Sequence, residues 1–176
     1  MDPVGKPIAV TGEWSVKFVT GGPEQPGPFT TTELESWTQL AGEAGEKFAG
    51  TAAYSIDVAL PRSGAGKYLL DLGKVADSAR VFLNGKELDV LFAPPFQIPV
   101  ELSQGENKLT VEVTNVAANR IRDLDRRKVK WQIFEDINFV GINFKDNKYL
   151  PFDASNWPVR DAGLLGPVTL QKLGGE

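Results

Sequence analysis

Apolar side chains at Tyr54, Ile56, Val58 and Leu60 alternate with Ser55, Asp57 and Ala59. A period of two puts one set on a core face and the other towards solvent, so the run predicts a half-buried strand. The same alternation recurs in Trp14, Val16 and Phe18 with Ser15 and Lys17, and in Leu109, Val111 and Val113 with Lys108, Thr110 and Glu112. Tyr68, Leu70 and Leu72 form a further run, as do Val168 and Leu170 around Thr169. Between Val81-Phe82-Leu83 and Leu88-Asp89-Val90 stands Asn84-Gly85, a pair suited to the two left-handed residues of a type I′ turn, so these runs predict a tight hairpin.

Turn residues punctuate the chain at positions 61–66, Gly73, Pro94-Pro95, Gln104-Gly105, Gly163 and Gly166-Pro167. Strands so separated, with almost no helical period, predict an all-β fold, a β-sandwich with at most one or two short helices. Thr32 with Glu35 can form a capping box, and Leu34 and Trp37 lie three apart, which predicts a helix over residues 32–40. Residues 21–28 form a long surface loop inside one unit, since the Trp14 strand needs later strands to bury its face; residues 1–176 are read as one domain. Gly64-Ala65-Gly66-Lys67 lacks the glycine spacing of a phosphate loop, and Tyr68 stands where Ser or Thr would hold Mg²⁺, so it predicts a hairpin turn.

Composition removes whole classes of chemistry. The 176 residues contain no Cys and no His, which excludes thiolate and histidine-assisted nucleophiles, disulfides and the commonest transition-metal ligands. Hydrophobic residues at 41% and charged ones at 24% describe a globular chain that buries roughly 70% of its extended surface. A net charge of −4 argues against a nucleic-acid surface. No apolar run is long enough for a membrane helix, and the start lacks the basic and apolar regions of an export signal. Met1 is the only Met, which suggests a piece of something longer given a start codon.

Read in order, longer stretches converge on a family. TGEWSVKF (11–18), GGPE (21–24), ELESWTQL (33–40) and KFAGTAAYSIDVALP (47–61) are followed by YLLDLGKVADSARVFLNGKELDVLFAPPFQIPV (68–100), QGENKLTVEVTNVAANRI (104–121) and AGLLGPVTL (162–170). This series resembles the carboxy-terminal β-sandwich of bacterial α-L-rhamnosidases of glycoside hydrolase family 106, and is similar to the sugar-binding jelly-roll domain of family 2 glycosidases. The resemblance implies a galactose-binding-like jelly roll without catalytic residues, an accessory domain of a secreted or periplasmic polysaccharide-degrading enzyme. It implies two partners, carbohydrate and the parent's catalytic domain, and no cofactor, although a structural Ca²⁺ held by loop carbonyls is open.

Sugar recognition pairs an aromatic face with polar side chains that reach hydroxyls. Trp14 and Trp37 fall on patterned faces and are read as core. Trp131 and Trp157 lie in irregular segments and are the stacking candidates. Residues 119–130 (NRIRDLDRRKVK) carry six basic side chains against Asp123 and Asp125. Three readings stand: a solvated loop laced with Arg–Asp pairs, a docking face for an acidic catalytic domain, or a cradle in which Arg126, Arg127 and Arg160 grip the uronate of a pectin-type oligosaccharide. Trp131 and Phe134 alone are too few aromatics for nucleic acid. Hydrolysis by the chain itself would need two carboxyls about 5 to 10 Å apart, with Asp123, Asp125, Glu135, Asp136, Asp153 and Asp161 as the acids available; no catalytic residue is assigned.

Overall fold

The computed structural model describes residues 2–61, 64–132, 142–145 and 148–174. Two antiparallel sheets carry the fold. One has the order β1 (Ile8–Ala9), β14 (Thr169–Lys172), β5 (Gly66–Asp71), β9 (Gln97–Leu102). The other runs β3 (Phe29–Thr31), β2 (Trp14–Gly22), β4 (Ala49–Leu60), β10 (Gly105–Thr114), β7 (Ser78–Leu83), β8 (Lys86–Leu91). Two small ladders pair β6 (Lys74–Ala76) with β13 (Gly163–Gly166) and β11 (Ile142–Lys145) with β12 (Lys148–Pro151). Three short helices complete the described residues: α1 (Trp37–Leu40), α2 (Gly42–Glu46) and α3 (Ala118–Arg126).

The alternating runs become facing layers. Trp14, Val16 and Phe18 from β2, Tyr54 and Ile56 from β4, and Leu109, Val111 and Val113 from β10 are buried from one side. Tyr68 and Leu70 of β5, Ile98 and Val100 of β9 and Leu170 of β14 close the core from the other. This is the β-sandwich the periodicity predicts. Asn84 and Gly85 take φ of 51° and 79° and join β7 to β8 with Leu83 opposite Lys86, as the hairpin requires.

Several local readings are corrected. Residues 64–67 are not a hairpin turn: β4 pairs with β2 and β10, whereas β5 pairs with β14 and β9, so the segment crosses from one sheet to the other. The first helix starts at Trp37, not Thr32. Thr31 Oγ1 accepts from the Glu33 N–H at 3.1 Å in a local turn, and Ser36 caps the helix instead. Ser36 also bonds Ala162 through both backbone groups, which draws the Trp37 ring into the core against Phe18 and Phe48. Residues 118–126 are a helix where a loop was one of the readings, and the third helix is one more than the turn-rich pattern predicts.

Three asparagines substitute for missing ladder partners. Asn107 holds Ser103 through both backbone groups, Asn115 accepts from the Gly50 N–H and donates to the Phe48 carbonyl, and Asn119 does the same to both backbone groups of Arg160. Each is buried, and each ties an irregular segment to the framework. The last of them positions the candidate site.

Candidate functional site

Helix α3 lies beneath the irregular segment 152–161, and side chains on both fix their relation. Asn119 clamps Arg160 at 2.8 Å twice. Arg122 donates to the Trp157 carbonyl at 2.7 Å and to Glu46 at 2.8 Å, joining α2, α3 and the segment. Asp125 accepts from the Trp131 indole N–H at 2.5 Å and from the Ala154 N–H at 2.7 Å. Phe152 stands between Trp131 and Trp157, its ring edge-to-face with both at centroid distances of 5.9 and 5.6 Å.

A hollow of about 480 Å³ opens beside Phe152, lined also by Asp125, Arg126, Lys128, Asp153, Ser155 and Asn156. Neither predicted tryptophan lines it. Trp131 buttresses Phe152 from behind with its indole N–H committed to Asp125, and Trp157, 39% exposed, packs on the far side. Of the three predicted arginines only Arg126 lines this hollow. Arg127 grips Asp123 with Nε and Nη2, and Arg160 points to Asp77 at 4.0 Å. Lys128 is one of the six basic side chains of residues 119–130, whereas Phe152 and Asn156 belong to no motif and their sequence signal was a place in the turn-rich segment 152–161.

The basic run is largely neutralised by its own fold. Asp123 sits between Arg120 and Arg127, each with a contact of 2.8 Å, and Arg122 is spent on Glu46. The Arg120–Asp123 and Asp123–Arg127 pairs, at (i, i+3) and (i, i+4), brace α3 along one side. Partial burial by itself raises the Asp123 carboxyl, but the hydrogen bonds and charge of Arg127, with the charges of Arg120 and Lys47, outweigh it and hold the carboxyl below the usual range. The unfolded chain therefore binds this proton more readily. The stabilisation is complete above the unfolded carboxylate value of about 3.9 and is lost as pH falls through the lower folded value. Asp123→Asn is expected to lower stability near neutrality and to flatten its acid dependence below about pH 5. Denaturant midpoints measured across pH check this, and parallel curves for the two proteins would contradict it.

The remaining acids are likewise engaged in structure. Asp153 accepts from the Ser155 N–H at 2.8 Å, and hydrogen bonds from Ser155 hold its carboxyl low, the opposite of what a general acid needs. Asp161 bonds Lys74 at 2.6 Å. Glu135 and Asp136, like Phe134, lie outside the described residues. Among the described residues no group of three or more acidic side chains is gathered as a metal site, and no helix is long and apolar enough to cross a membrane.

A second hollow, of about 690 Å³, lies on the outer side of the four-stranded sheet, where Pro3, Leu69, Pro99 and Leu173 make an apolar floor between Lys67 and Glu101.

No protein-family model matches this chain. It is 33% identical, over 97% of its length, to a candidate β-glucuronidase of Formosa agariphila. Its fold superposes over 97% of its length on a rhamnosidase from a Novosphingobium species with a TM-score of 0.69 and 25% identity. A β-glucuronidase from Ruminococcus gnavus shares the fold over 65% of the chain, with a TM-score of 0.51 and 17% identity. The chain spans 16% of the length of each of the first two proteins and 23% of the third, so it is similar to one segment of much longer glycosidases.

Proposed function

We propose that this chain is a single-domain, non-catalytic module of a multidomain glycoside hydrolase, of the jelly-roll kind carried by family 106 α-L-rhamnosidases, and that it binds carbohydrate through the Phe152 hollow. The observation that carries the reading is the disparity of coverage: nearly the whole chain matches, yet it accounts for only 16% of the similar rhamnosidase. The fold supports the non-catalytic half, since Asp123, Asp125, Asp153 and Asp161 all hold other protein groups. An aromatic ring beside Arg126, Asn156 and Ser155 supports the binding half, as it offers an apolar surface with hydroxyl partners at its rim. Plant polysaccharides are too large to enter a cell, so the module works in an extracellular or periplasmic parent.

A second reading, docking on the catalytic domain with no ligand, is favoured by the apolar hollow of the four-stranded sheet. Two assays on the chain separate these. Calorimetry with rhamnogalacturonan and galacturonan fragments is expected to give dissociation constants of about 1 μM to 1 mM, and a reducing-sugar assay is expected to show no release. Absence of heat at millimolar ligand overturns the binding half and leaves docking; release of reducing sugar overturns the whole proposal.

A further inference from the structure

Two cations at the end of α3 have no side-chain partner among the described residues. The side chains of Arg126 and Lys128 make no hydrogen bond or ion pair among the described residues, whereas Arg120, Arg122 and Arg127 each hold an acid. Lys128 is also in the wrong backbone conformation for a lysine. Its φ is 56°, and it occupies the left-handed position that ends the helix, with its own N–H on the Asp125 carbonyl at 3.0 Å and the Val129 N–H on the Leu124 carbonyl at 2.9 Å. Glycine takes that position without strain, while a Cβ there crowds the following carbonyl. The fold alone would favour glycine, and strain kept at an exposed position points to a use for the side chain.

Both cations line the Phe152 hollow. Asp125 and Asp153 border it too, but the Asp125 oxygens are taken up by the Trp131 indole and the Ala154 N–H, and Asp153 holds Ser155. Those donors are neutral and cancel no charge, so two acids and two cations share the hollow, and the cations are the charged side chains there with no hydrogen-bond or ion-pair partner among the described residues. We infer that the hollow binds an anionic pyranose, with Arg126 and Lys128 on its acid group and Phe152 against its C–H face. The inference rests on the carbohydrate-binding reading above and deepens it: the acid group selects the ligand, and a guanidinium beside an ammonium receives either a carboxylate or a sulfate ester.

The test is calorimetric titration of the chain, Lys128→Gly and Arg126→Gln with trigalacturonate, a sulfated galactotriose and neutral galactotriose, beside thermal melting of each protein. An acidic trisaccharide is expected to bind at least about tenfold more tightly than the neutral one, as removal of a charge-assisted hydrogen bond implies. Which acid binds better identifies the source. Lys128→Gly is expected to raise the melting temperature, weaken acidic ligands about tenfold or more and leave neutral galactotriose unchanged. A residue kept only for structure would move the two readouts together. Equal binding of neutral and acidic ligands, or full affinity in Lys128→Gly, overturns the inference and leaves the carbohydrate-binding reading intact. No heat with any of the three at millimolar concentration overturns both.

Discussion

Gly163→Ala is expected to destabilise the fold by about 2 to 5 kcal/mol, combining left-handed strain with overpacking of a filled core. Gly163 has a φ of 103°, and an alanine Cβ there would lie 2.3 Å from the Tyr54 hydroxyl and 2.9 Å from Cε3 of Trp37. Tyr54 is fully buried in the middle of β4 and Trp37 is fully buried under α1, so neither ring has free space to move into. Gly85→Ala supplies the control. Gly85 also has a positive φ, of 79°, but nothing lies within 4 Å of its added Cβ, so only strain of about 1 to 2 kcal/mol is expected. Urea midpoints of the two variants isolate the clash, and Tyr54→Phe in the Gly163→Ala background is expected to recover part of the loss. Equal destabilisation at both glycines would contradict this packing.

Trp37→Ala is expected to cost about 3 to 5 kcal/mol, the range for emptying a large buried aromatic site. The ring packs edge-on against Phe18 and Phe48 at centroid distances of 5.6 and 5.8 Å, and its backbone N–H bonds the Ala162 carbonyl at 3.0 Å. This cluster fastens α1 and the start of β13 to the end of the six-stranded sheet. Trp37→Phe should be far milder, because the buried indole N–H has no hydrogen-bond partner among the described residues and nothing polar is orphaned by its loss. Chemical denaturation of both variants checks the order, and a phenylalanine variant as unstable as the alanine one would contradict it.

The framework was legible because it depends on short-range patterns. Alternation marked β2, β4, β5, β10 and β14, and Asn84-Gly85 marked the β7–β8 hairpin. The crossing at residues 64–67 was not legible, since a turn signal does not say whether the strands it joins will pair. Thr32 and Glu35 carried a capping signature, yet Ser36 won the cap because its hydroxyl also satisfies Ala162, 126 residues away. α3 was obscured by its charge, although the spacing of Arg120, Asp123 and Arg127 already held it.

The site was half legible for the same reason. Residues of both segments singled out in the sequence, 119–130 and 152–161, line the Phe152 hollow, but side-chain positions there are set by contacts between segments. The indole N–H of Trp131 is held by Asp125, and its half-buried ring packs edge-to-face against Phe152. Asn119 lies in the stretch 104–121 that carries the family resemblance, and its side chain holds the Arg160 backbone.

The central claim is that this sandwich meets carbohydrate at one place, between the end of α3 and Phe152. Backbone and indole amide resonances of the isotope-labelled chain, followed while an acidic pectin oligosaccharide is added, test it most directly. The account predicts saturable shifts confined to residues 125–128 and 152–156 and to the Trp131 indole N–H, which responds through Asp125. Saturable shifts confined instead to the outer face of either sheet, or none at millimolar ligand, would contradict it.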